Sequence, residues 1–113
     1  NRRAMLIVFK SKAAGDVMMF GDVAMQLLEI MGKSPEPKGI VTVAQLPEAI
    51  ARLKAAVTQD KTDNPPIDPD ERRFEKTPEG GRREYVSLAR RAVPLIELLE
   101  YSLKEEVPVT WGV

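Results

Sequence analysis

No His and no Cys occur among the 113 residues of this chain. Thiol nucleophiles, thiolate metal sites and imidazole acid–base chemistry are therefore excluded from the start. Ser11, between Lys10 and Lys12, is the one hydroxyl placed beside possible bases. Neighbours along a strand point to opposite faces, so this grouping reads as a solvated strand end. Asp16 and Asp22 could form a carboxylate pair or hold a hard cation. Six positions apart on a helix, they would stand about 240° from one another and share no face. Helix capping accounts for Asp16 and solvent for Asp22. Asp68, Asp70 and Glu71 lie close together but lack the twelve-position order and central glycine of a calcium loop. Met31-Gly32-Lys33-Ser34 ends like a phosphate-binding loop, without the upstream glycine that such a loop needs. A helix stop and a turn explain it. No catalytic residue, metal or cofactor is assigned; an enzyme working through carboxylate, Lys or Tyr groups alone is kept as an alternative.

Contact chemistry offers more. Arg72, Arg73, Lys76, Arg82, Arg83, Arg90 and Arg91 stand against Glu75, Glu79 and Glu84, a local cationic excess that could draw phosphate groups. Arg90 and Arg91 fall at the start of a predicted helix, the end where the helix dipole disfavours cations. That local cost leaves room for a binding role. Nucleic acid is nevertheless not the expected partner: acidic residues lie just upstream, aromatic interleaving is missing, and the 17 basic and 17 acidic side chains of the whole chain cancel. Asp22 and Trp111 complete the candidate ligand contacts. The lone Trp suits closing the core better than lining a pocket with Tyr101. Of the five Met, four fall in one segment; without Cys or His support, adaptable packing suits them better than copper(I).

The elements that would position these groups read as follows. Met5 to Phe9 is a strand rich in β-branched and aromatic residues. Its apolar run does not alternate, which asks for cover on both faces. The segment from Val17 to Met31 reads as a helix with Asp16 as N-cap and Gly32 as stop. Val17, Phe20, Ala24, Leu27, Leu28 and Met31 form its core stripe. Gly21 inside it costs about 1 kcal/mol against Ala and suggests a close backbone approach. Ile40 to Val43 reads as a short strand, followed by a helix that begins at Pro47 after a Thr42 lead-in turn. Leu46, Ile50, Leu53 and Val57 form its core face. A charged, Pro- and Gly-rich loop is expected over 58–84. Ser87 caps a last helix through Leu88, Ala92, Leu95, Leu99 and Leu103, which Pro94 should bend or split. Val107 to Trp111 reads as a terminal strand, with Pro108 placing it at an edge or at a position whose N–H needs no partner.

Together these predict an α+β fold: a small, mostly helical domain, with three main helices packed on a short sheet formed by the N- and C-terminal strands. One domain over 5–113 is expected, with residues 1–4 a non-native remnant or a flexible extension. The five-residue apolar run near the start is too short for a signal core, and no stretch approaches the roughly 20 apolar residues of a spanning helix. A cytoplasmic protein without membrane association is the reading, and the absence of Cys fits a reducing compartment. If the core stripe of the Met-rich helix 17–31 is buried internally, Met18 and Met25 on one flank, and Met19, Val23 and Ile30 on the other, need cover. A domain this small lacks surface to cover both flanks. A homo-oligomer is expected, a dimer first, with another protein partner as the alternative.

Phe9-Lys10-Ser11, Met19-Phe20-Gly21-Asp22-Val23-Ala24, Leu46-Pro47-x-Ala49-Ile50 and Val107-Pro108-Val109-Thr110-Trp111-Gly112 together resemble the small proteobacterial proteins grouped as domain of unknown function family 1840. The resemblance runs from Met5 to Val113. It implies a one-domain cytoplasmic bacterial protein, and brings no activity, cofactor or catalytic residue with it. Gly21-Asp22 and Trp111-Gly112 are the positions to which it draws attention.

Overall fold

The computed structural model describes residues 6–65 and 73–113. In chain order the elements are β1 (Leu6–Ser11), β2 (Ala14–Phe20), α1 (Gly21–Ile30), β3 (Gly39–Val41), α2 (Leu46–Asp63), β4 (Phe74–Lys76), β5 (Arg82–Glu84), α3 (Leu88–Glu105) and β6 (Val109–Trp111). The expected α+β fold is present. Three helices pack on one antiparallel sheet of order β2-β1-β6-β3. Its two central strands, β1 and β6, come from opposite ends of the chain and pair through Phe9↔Trp111 and Lys10↔Thr110. A separate hairpin, β4–β5, stands apart from this sheet.

Register assigns the two sheet faces. Ile7 lies opposite Met19, Phe9 opposite Val17 and Trp111, and Val41 opposite Val109. Directly paired residues project to the same side, and this side meets the helices: Ile7, Phe9, Val41, Val109 and Trp111 are buried in one core with Leu27, Leu28, Leu46, Leu53, Leu95 and Leu99. The Trp111 ring lies 6.1 Å from that of Phe9, centroid to centroid, and its indole N–H donates to the Glu36 carbonyl at 2.8 Å. Gly39 passes so close that a Cβ there would fall on the Trp111 ring. The other side carries Leu6 opposite Phe20, Val8 opposite Met18, and Ile40 and Lys10 opposite Thr110. There Leu6, Met18, Phe20 and Ile40 are 51, 61, 51 and 42 % exposed.

Local chemistry explains the helix ends. Gly32, at φ +85°, closes α1: its N–H donates to the Glu29 carbonyl and that of Lys33 to the Leu28 carbonyl, the two bonds of a glycine-terminated helix. The Gln45 side chain accepts from the Thr42 N–H at 3.0 Å, and a single 3-10 turn, Val43–Gln45, leads into α2 with Pro47 in its first turn. Ser87 caps α3 by accepting from the Arg90 N–H. Ser102, fully buried, bonds the Leu98 carbonyl and shares a hydrogen bond with Ser11, each at 2.7 Å, which ties the β1–β2 turn to α3.

Four expectations need correction in whole or in part. The Met-rich helix expected over 17–31 is a strand followed by a helix. Val17 to Phe20 pair with β1, Asp16 lies exposed within β2 rather than capping, and helix begins only at Gly21. Pairing with β1 satisfies the backbone and lays Val17 and Met19 beside Phe9 and Ile7, a tertiary gain that outweighs the helical preference of Met. Helical structure in α2 persists to Asp63, so the loop expected over 58–84 opens as helix and closes as the β4–β5 hairpin. The terminal strand is not at an edge: β6 is paired on both sides, and Pro108 lies just before it, outside the ladder. Of the bend or split expected at Pro94 the split is absent, since α3 is one helix from Leu88 to Glu105 and the proline lies on its exposed side.

Candidate functional site

The strand β2 runs into α1 without a loop, so Phe20 and Asp22 are fixed by two regular elements at once. Gly21, between them, is buried. Asp22 in the first turn of α1 accepts two hydrogen bonds from Arg83 of β5, from Nη1 at 3.2 Å and from Nη2 at 2.7 Å. Arg83 Nη2 also reaches Glu75 of β4 at 3.3 Å, and Glu75 accepts from Arg91 Nη2 of α3 at 2.7 Å. Arg91 Nε donates to the Val86 carbonyl. The result is an alternating row, Asp22–Arg83–Glu75–Arg91, that staples the hairpin to α1 and α3. The Arg83 guanidinium further covers the Phe20 ring, 4.9 Å from its centroid, a cation–π contact.

The electrostatics follow. Hydrogen bonding from Arg83 holds the Asp22 carboxyl below the usual carboxylate range; partial burial opposes this, and attraction to the same guanidinium adds to it. The pairing raises Arg83 further above its already high value. Arg83 Nε is buried without a partner among the described residues, so this arginine is committed by position.

The expected contact residues separate into groups. Asp22, Arg83 and Arg91 come together, but as partners of one another and of Glu75. Arg82 lies over the Phe74 ring at 5.1 Å, Arg73 is exposed just before β4, and Arg90 is exposed on the first turn of α3. Arg72 lies outside the described residues. Trp111 belongs to the core, its N–H already used. Of the expected interface residues, Val23 is buried, Met19, Met25 and Ile30 pack partly against the core, and Met18 alone stands open, on β2. Sequence reasoning missed Glu75, Leu6, Phe20 and Val86 as site residues. Glu75 amid the arginines was the one signal available; the unbroken apolar run of β1 does not mark which of its residues face outward.

A groove of about 550 Å³ joins the two sets of candidates. Met18, Met19 and Phe20 of β2 form one side, and Arg90, Arg91 and Pro94 of α3 the other. Its lining is mostly apolar with arginines at the rim. No described helix is long and apolar enough to cross a membrane.

The class these features define is a small α+β domain with a one-sided sheet and a stapled hairpin. The family described as Domain of unknown function (DUF1840) matches residues 5–111, and the chain belongs to it. No curated protein and no solved structure matches the chain.

Proposed function

We propose that this domain is a noncatalytic interaction module that associates with a second copy of itself through the uncovered apolar surface around β2. One observation carries the reading: all three helices cover the same face of the sheet, while Leu6, Val8, Met18 and Phe20 adjoin one another on the other, with Ile40 at the far edge beyond Thr110 and Lys10. Contiguous apolar surface of this kind marks an interaction site, and closed two-fold pairing is its commonest use. Burying a Met or Phe side chain fully is worth about 1.5–3 kcal/mol. Met18 and Phe20 each keep more than half of their surface open, so a partner has roughly half of that to gain at each. The setting is a reducing, cytoplasmic one, which a chain without Cys suits. Anion or nucleic-acid binding through the cluster over 72–91 is the weaker reading, because Arg83 and Arg91 are already neutralised by Asp22 and Glu75.

Sedimentation equilibrium tests the proposal. The parent is expected to sediment above its monomer mass of 12.6 kDa, and Met18→Lys to weaken association at least tenfold with an unchanged circular dichroism spectrum. A parent that stays monomeric up to hundreds of micromolar overturns it.

A further inference from the structure

Val17, Met18, Met19 and Phe20 all border the groove beside β2. Alternate side chains of a strand leave opposite faces, so four consecutive residues reach a common space only where it lies along the strand's edge. Among the described residues β2 pairs with β1 alone. Its second edge therefore presents backbone donors and acceptors to the groove. Between Asp16, exposed in β2, and Phe20, whose ring the Arg83 guanidinium covers, the strand's own protections of an edge are missing. Val17 to Phe20 contains no charge and no Pro, and the register is regular from Leu6↔Phe20 to Phe9↔Val17.

The far wall of the groove decides what kind of partner fits. Arg83 and Arg91 border it but are held by Asp22 and Glu75. Glu84 and Arg90 also border it; both are exposed, and neither side chain has an ion pair or hydrogen bond among the described residues. One free anion and one free cation sit on the same rim. A small anionic ligand would answer Arg90 and meet Glu84 unfavourably, and a cationic one would do the reverse. A second copy of the chain supplies both signs, because in a two-fold contact residue i meets residue j and j meets i.

Resting on the self-association proposed above, we infer that β2 is the seam. The β2 edges of two copies pair antiparallel about a two-fold axis and join two four-stranded sheets into one of eight strands. Arg90 of each copy lies against Glu84 of the other. Met18 of each copy, near the axis, packs across the seam on the outer face.

A charge-swap mixing experiment tests this by native mass spectrometry and light scattering. Arg90→Glu alone places two acidic pairs across the axis, and Glu84→Arg alone two basic pairs, so each variant is expected to dimerise at least tenfold more weakly than the parent. Mixed one to one, they should form a heterodimer of near-parental affinity, since one pair is then native and the other reversed. Both positions are exposed, and an acid in the first turn of α3 is favoured by the helix dipole, so folding should be kept. Val8→Lys, on the outer face of an inner strand, should leave the dimer intact. If the parent dimerises but mixing restores nothing, or Val8→Lys disrupts the dimer while the charge variants do not, the seam is overturned and self-association stands. A monomeric parent overturns both.

Discussion

Replacing Asp22 by Asn keeps the shape of the side chain and removes the charge that Arg83 was placed to meet. Hydrogen bonds to charged groups contribute about 1.5–3 kcal/mol when sheltered, and exposed ion pairs under about 1 kcal/mol. Here the arginine side chain is 15 % exposed and the aspartate 33 %, which puts the pair between those limits. Arg83 also retains its longer contact to Glu75. A loss of about 1–2 kcal/mol at pH 7 is expected, or about a 1 M fall in urea midpoint for a domain of this size. The pH dependence gives the sharper check. A carboxyl whose folded pKa is depressed stabilises the fold above its unfolded value of about 3.9, and that contribution disappears as pH falls through the lower folded value. The stability gap between parent and Asp22→Asn, measured by urea unfolding at a series of pH values, should therefore be constant near neutrality and close progressively below about pH 4. A gap of equal size at low and neutral pH, or no gap at pH 7, would refute the pairing as the source of the effect.

Three further outcomes are expected. Gly39→Ala forces a methyl group onto the buried Trp111 ring and should cost about 1–3 kcal/mol, seen as a lowered thermal midpoint with a shift in Trp emission. Ser102→Ala removes a fully buried hydroxyl, leaving the Leu98 carbonyl and Ser11 with one partner fewer; about 1 kcal/mol of stability should be lost, with faster amide exchange at the Lys12–Ala13 turn. Pro94→Ala gives α3 an N–H for the Arg90 carbonyl and relieves a ring within the helix, so chemical denaturation should show a gain of about 1 kcal/mol or more; a loss would mean that the ring packs usefully in the groove.

Much of this fold is written locally. Gly32 as a helix stop, the Thr42–Gln45 turn before Pro47, Ser87 as a cap and the stripe Leu95–Leu99–Leu103 all rest on contacts within a few residues, and each appears where those residues require it. The segment 17–20 does not work this way. Val-Met-Met-Phe is compatible with helix or strand, and the choice is made by β1, whose backbone it pairs and whose Ile7 and Phe9 it lies beside. Gly21 was the warning: a poor residue for a helix interior is an acceptable one at the point where a strand turns into a helix. The charged stretch before α3 misled for a similar reason. Its arginines look like an anion site in one dimension, but Asp22 lies 61 residues from Arg83, and no spacing rule links them. Trp111 shows the opposite case, a lone aromatic whose ring is sequestered by Gly39 and Phe9 and leaves nothing for a ligand.

Hydrogen exchange at the backbone amides of Val17 to Phe20, followed at low and high protein concentration, tests self-association through β2 most directly. The outward-pointing amides of this edge should exchange at least tenfold more slowly in concentrated solution, while those of β3, the opposite edge of the same sheet, keep their rates. Equal rates for residues 17–20 at both concentrations, or slowing confined to β3, would contradict it.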